Sequence, residues 1–131
     1  MKLKTESTFK ITGWDEETIS EQEESGKLTR AHVTKSYQGG LQGDGVVEYV
    51  MAHKSDGSAT FMGYEKVEAS INDKSGSFVF EHRGEFKDGI VDSVWSIVED
   101  SGTGELKGIS GTVNFKAGHQ DEYPITLDYE L

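Results

Sequence analysis

The sequence predicts an all-β protein: a small antiparallel meander of eight strands closed into a barrel. Three observations predict it. Apolar residues fall in short runs that alternate with polar or small ones, the period of a strand with one buried face. Sixteen glycines stand against one proline, which suits a chain of many tight turns. Nearly every connection is short and rich in Gly, Asp or Ser, which fits hairpins and leaves no length for parallel crossovers. Closing an even meander into a barrel removes both sheet edges; a two-sheet sandwich is the alternative arrangement.

The strands read along the chain at 5–13, 28–38, 45–54, 58–73, 77–87, 90–99, 106–116 and 123–130. Between the first two lies an acidic patch, Asp15 to Ser25, carrying Asp15, Glu16, Glu17, Glu21, Glu23 and Glu24; its composition predicts a solvated loop or short helix. Ser55-Asp56-Gly57 marks the third hairpin, Asp73 to Gly76 the fourth and Asp88-Gly89 the fifth. The stretch Ser101 to Thr112 holds Gly102, Gly104, Gly108 and Gly111. A phosphate-cradling loop would follow a strand and open a helix, whereas Ile109, Gly111, Val113 and Phe115 continue at strand period. These glycines therefore read as a turn and a bent strand.

Register follows from the turns. With His53 opposite Ser58, Glu48 faces Gly63, Val50 faces Phe61 and Val46 faces Glu65. With Asn72 opposite Ser77, Ile71 faces Phe78, Ala69 faces Phe80, Val67 faces His82 and Glu65 faces Gly84. One face then carries Val46, Val50, Phe61, Val67, Ala69, Ile71, Phe78, Phe80 and Phe86, and must be the interior. With Lys87 opposite Ile90, Trp95 falls beside His82 and Ser93 beside Gly84.

Glu48, Glu65 and His82 share that inner face. Two carboxylates in a low-dielectric interior raise the pKa of at least one unless a protonated histidine balances them, which is the setting of general acid–base chemistry. Gly63 and Gly84 opposite the carboxylates argue for a local hollow, while the phenylalanines and Trp95 argue for filling. On the opposite face Val47, Tyr49 and Met51 alternate with this set, next to Met62 and Tyr64, and form an outward apolar patch of the kind that marks an interface. A homo-oligomer is expected through it.

Composition narrows the partners. A chain of 131 residues suits a single domain over 1–131 with a core of its own. A net charge of -11 argues against nucleic acid and anionic membranes. The chain has no cysteine, so disulfides and thiolate chemistry are absent. The opening Met-Lys-Leu-Lys-Thr-Glu has no hydrophobic signal region, and no run of about 18 apolar residues occurs; a cytoplasmic location is expected. His32, His53 and His119 have no local motif partner and read as surface residues. Two carboxylates and a histidine on three adjacent strands lack a ligand-spacing signature, so no metal and no cofactor is expected. No nucleophile elbow, Walker sequence or dinucleotide fingerprint occurs.

The succession Leu28-Thr29-Arg30-Ala31, Tyr37-Gln38-Gly39-Gly40-Leu41-Gln42-Gly43-Asp44-Gly45, Glu48-Tyr49, Asp56-Gly57-Ser58-Ala59, Gly63-Tyr64-Glu65-Lys66-Val67, Gly76-Ser77-Phe78-Val79-Phe80-Glu81-His82, Ser101-Gly102-Thr103-Gly104-Glu105-Leu106 and Leu127-Asp128-Tyr129 resembles the bacterial DUF3224 family of uncharacterised proteins over nearly the whole chain. The resemblance implies a small antiparallel barrel similar to allene oxide cyclase, with no established activity. The segment Gly102-Thr103-Gly104 with Leu106, Gly108 and Gly111 also resembles a turn and strand of plant allene oxide cyclases and dirigent proteins, trimeric families that steer reactive hydrophobic intermediates inside the barrel. Only glycines that carry the fold match, and the cyclase's catalytic cysteine has no counterpart here, so no catalytic role transfers.

Three functions stay open. The leading one is a cytoplasmic barrel that binds a small, partly apolar ligand inside, with Glu48, Glu65 and His82 orienting a polar group and Phe61, Phe80 and Trp95 lining the cavity. The second is an isomerase or cyclase-like enzyme that draws its acid or base from Glu48, Glu65 or His82. The third is a structural or interaction protein with a filled barrel.

Overall fold

The computed structural model describes residues 2–22 and 26–131, and among them eight strands follow one another around a closed barrel. They are β1 (Lys2–Gln22), β2 (Gly26–Gly39), β3 (Leu41–His53), β4 (Ala59–Ile71), β5 (Lys74–Lys87), β6 (Ile90–Ile97), β7 (Ser110–Ala117) and β8 (Tyr123–Glu130). Successive strands pair antiparallel, and β1 closes the ring on β8 from Lys2↔Glu130 to Phe9↔Tyr123. No helix among the described residues is long and apolar enough to cross a membrane.

Turn chemistry sets the register. Asn72 and Asp73 both adopt positive φ (47° and 75°), as do Asp88 and Gly89 (54° and 78°), so each pair makes a two-residue turn of the kind that matches strand twist. The second joins Lys87 to Ile90 and brings His82 against Trp95 and Gly84 against Ser93, as expected. The first joins Ile71 to Lys74 and sets Val67↔Phe78, Glu65↔Phe80 and Gly63↔His82. This differs from the expected frame by an even number of residues. Glu65, Val67, Phe78, Phe80 and His82 therefore keep the inner side, with different neighbours.

The hairpin between β3 and β4 corrects the sequence reading more deeply. Lys54 N donates to Ser58 O at 2.8 Å and Gly57 has φ 90°, so three residues close the loop and His53 pairs with Ala59, not Ser58. A one-residue slip reverses every side chain. Val47, Tyr49 and Met51 point inward, and Val46, Glu48 and Val50 point out: Val46 and Val50 are 40% and 45% exposed while Val47 is 0%. Glu48 is thus no part of the interior cluster, and its carboxylate bonds His32 of β2 on the outer face. The expected interface patch loses Val47, Tyr49 and Met51 to the interior; Met62 and Tyr64 stay on the outer side.

Two further segments depart from expectation. Asp15 to Gln22 continues β1 as strand, paired to β2 from Asp15↔His32 to Gln22↔Gly26; Glu23, Glu24 and Ser25 lie outside the described residues. Leu106 to Ile109 is not strand: Gly104–Leu106 is a single 3-10 turn. Thr103 N donates to Ser77 O at 2.8 Å, which lays this connection across β5 and buries Leu106 completely.

The barrel is consequently a cup. At the end that carries the turns after β2, β4 and β6, Leu41, Ile71, Phe78, Leu106 and Ile109 pack one continuous core. At the other end, where the turns after β3, β5 and β7 lie, the interior is hollow.

Candidate functional site

The inward phase of β2 runs Thr29, Ala31, Val33, Lys35, Tyr37, and all five are buried. It places a lysine where an apolar residue belongs, and the lysine requires a partner. Glu65, inward on β4, supplies it: Lys35 Nζ donates to Glu65 Oε1 at 3.1 Å. Tyr37 Oη donates to Glu65 Oε2 at 2.6 Å, and His82 Nε2 on β5 meets Glu65 Oε1 at 2.6 Å. The side chains of Glu65 and His82 are 0% exposed and that of Lys35 is 2%. Gly45, opposite both Lys35 and Val67, makes the network possible, because a Cβ there would run into Glu65 Oε2 and the Tyr37 ring.

Burial would push the Glu65 carboxyl up, but the Lys35 charge and the hydrogen bonds of His82 and Tyr37 outweigh it and hold the group at about 2. Desolvation takes His82 down to about 4, against the pull of Glu65, so the imidazole is neutral at neutral pH and its Nε2–H donates to the carboxylate. His82 Nδ1 is then a buried acceptor with no hydrogen-bond partner among the described residues. Burial also lowers Lys35, while Glu65 raises it, and burial raises the Tyr37 phenol. Taken together the network is one cation and one anion, with net charge zero.

Above this network the cup encloses a cavity of about 660 Å³. Lys35 reaches its floor between aromatic rings, 4.3 Å from the Trp95 centroid and 4.7 Å from that of Phe9, within cation–π range. Trp95 Nε1 donates to Ser93 Oγ at 3.1 Å, which points the indole edge and the hydroxyl at the same wall. Tyr49 stands edge-on to both Phe61 (5.4 Å) and His82 (5.5 Å), and burial holds its phenol well above the usual range. Gly63 pairs with Tyr49 on one side and His82 on the other, and the missing side chain lets those two rings meet.

β1 builds one side of the mouth where it runs on from the expected first strand toward the acidic patch. The register shift between Ile11 and Gly13 is a bulge, which changes the inward phase: Phe9 and Ile11 line the cavity before it, Trp14 after it. Trp14 Nε1 donates to Glu16 Oε1 at 3.0 Å, and Glu16 Oε2 lies 3.4 Å from His53 Nε2, itself 3.0 Å from Thr29 Oγ1. His53 and His119 both line the cavity at this rim, whereas His32 faces outward.

Of the residues singled out from sequence, Glu65, His82, Phe61, Phe80 and Trp95 are inside and Glu48 is not. Phe61 and Trp95 line the cavity; Phe80 lies beneath it against His82 and Trp95; Glu65 and His82 support the floor through Lys35. Lys35, Tyr37, Tyr49 and Ser93 were missed as site residues. The signal for Lys35 was present, a charge in phase with Val33 and Tyr37 on one strand.

The family model described as protein of unknown function (DUF3224) matches residues 5–129. Among solved structures, the chain is similar to a protein of unknown function from the DUF3224 family of Shewanella oneidensis MR-1, at 23% identity over 100% of this chain and 98% of that one, with a TM-score of 0.86. No curated protein matches the chain.

Proposed function

The chain belongs to the DUF3224 family, and from that premise and the geometry of the cup we propose that it binds a small, partly apolar organic molecule in the open half of its barrel. The observation that carries this is the cavity itself: about 660 Å³, within the range of about 300–1,000 Å³ typical of small-molecule sites. Aromatic rings wall it, and Lys35 and Ser93 present polar groups to it. A barrel packed throughout, as a purely structural role would have it, has no reason to leave this half empty while Leu41, Ile71, Phe78 and Leu106 fill the other. Catalysis by Glu65 or His82 is disfavoured, since both side chains are fully buried and neither lines the cavity.

The test is titration with N-phenylnaphthylamine, a neutral apolar probe whose fluorescence rises on leaving water. Binding should be saturable and abolished by Ala117→Trp, which fills the mouth, but kept by Val94→Thr on the outer face, where Val94 is exposed. Binding that survives Ala117→Trp unchanged, or no saturable binding at all, would overturn the assignment.

A further inference from the structure

We propose that the cavity selects neutral ligands that carry a carbonyl, hydroxyl or ether oxygen, and discriminates against the corresponding carboxylates. This rests on the reading of the cavity as a small-molecule site and specifies what that site recognises.

An ammonium has three N–H donors and no acceptor. Among the described residues, Lys35 Nζ has one hydrogen-bond partner, Glu65 Oε1, and it lies over the rings of Trp95, Phe9 and, farther off, Tyr37. Two N–H groups are therefore left with only ring faces to meet. Ser93 Oγ accepts from Trp95 Nε1, which leaves its own O–H free to donate. Lys35 and Ser93 both line the cavity, so its lining offers donors that want an acceptor.

Charge decides which acceptor. In most anion sites a lysine is uncompensated, but here its charge is already neutralised by Glu65 at 3.1 Å. A ligand carboxylate would have to share one buried ammonium with a carboxylate already in place, leaving an excess negative charge in a low-dielectric interior. Asp121 at the rim and the net charge of -11 oppose its entry as well. A carbonyl or hydroxyl oxygen takes the same N–H donors and adds no charge.

Three ligands of nearly one shape separate the terms: isopropenylnaphthalene, acetylnaphthalene and naphthoate, each displacing N-phenylnaphthylamine at neutral pH. Acetylnaphthalene should bind about ten-fold more tightly than its apolar isostere isopropenylnaphthalene, as one hydrogen bond from a charged donor provides, and naphthoate should bind more weakly than acetylnaphthalene by at least as much. Replacing Lys35→Met together with Glu65→Gln removes both charges and avoids stranding either; this double variant should still bind isopropenylnaphthalene but lose the preference for acetylnaphthalene. Equal affinities for the three, tightest binding of naphthoate, or a preference that survives in the double variant would overturn the specificity while the probe still reports a cavity. Failure of the probe and all three ligands would remove the ligand site and this inference with it.

Discussion

Replacing Glu65→Gln is the sharpest perturbation of the network, because it preserves shape and an acceptor for Tyr37 while stranding the Lys35 ammonium at 2% side-chain exposure. Removing one partner of a buried pair costs about 3–5 kcal/mol. The structure also sets a ceiling. Lys35 can escape its unpaired charge by losing its proton, and for a group with an ordinary value of 10.5 that costs about 5 kcal/mol at pH 7, at about 1.36 kcal/mol per pH unit. The deficit therefore has a signature in pH. In the variant the unfolded chain holds the Lys35 proton and the folded one does not, so stability rises with pH, and the gap to wild type should narrow by up to about 1.4 kcal/mol per unit above neutrality. Urea unfolding followed by tryptophan fluorescence at pH 7 and pH 9 measures it. Adding Lys35→Met to Glu65→Gln removes the stranded charge and should recover at least half the loss. A Glu65→Gln variant within about 1 kcal/mol of wild type at pH 7, well below the range for a broken buried pair, would refute the reasoning, as would a deficit independent of pH.

Acid should destabilise the protein in two stages. His82 has its folded value lowered from 6.5 to about 4, so its contribution is intact above pH 6.5 and is lost, by about 3 kcal/mol, as pH falls to 4; a His82→Gln variant, which keeps a donor toward Glu65, should lack this stage in urea midpoints. Glu65, lowered from 4.5 to about 2, adds a further loss between those values, capped at about 3 kcal/mol because the two groups share a hydrogen bond. Gly45→Ala drives a methyl into Glu65 and Tyr37 and should cost about 1–3 kcal/mol, read as a fall in Tm. Leu106→Ala opens a hole in the packed end and should cost about 2–5 kcal/mol with the N-phenylnaphthylamine affinity unchanged, since the cavity lies at the other end of the cup.

How far the site could be read in advance turns on the parity of two turns. Both hairpin registers around β4 were misplaced, yet only one error mattered. The slip at Asn72-Asp73 was even, so Glu65 and His82 stayed inward and remained a pair. The slip at Ser55–Gly57 was odd, so Glu48 was drawn inside, and Tyr49, a wall of the cavity, was drawn outside. The information that resolves it is local: a glycine in the left-handed region at the third loop position (Gly57, φ 90°) marks the three-residue loop that sets Lys54 opposite Ser58. Lys35 was legible by the same logic, as a charge on an apolar phase. Trp14 and Glu16 were not, because a bulge between Ile11 and Gly13 reverses the phase that alternation reports. Hollowness is a property of yet another kind. It depends on the 3-10 turn folding Leu106 into one end, and on β7 and β8 pairing only from Ser110↔Glu130 to Thr112↔Asp128. Beyond Thr112 that ladder ends; Phe115 and Tyr123 stay in contact across it through their rings, 5.7 Å apart, and with Ala117 they line one wall of the cavity. Strand period fixes which side chains point inward, whereas the volume they leave between them is set by how the strands pair around the ring, which the period does not report.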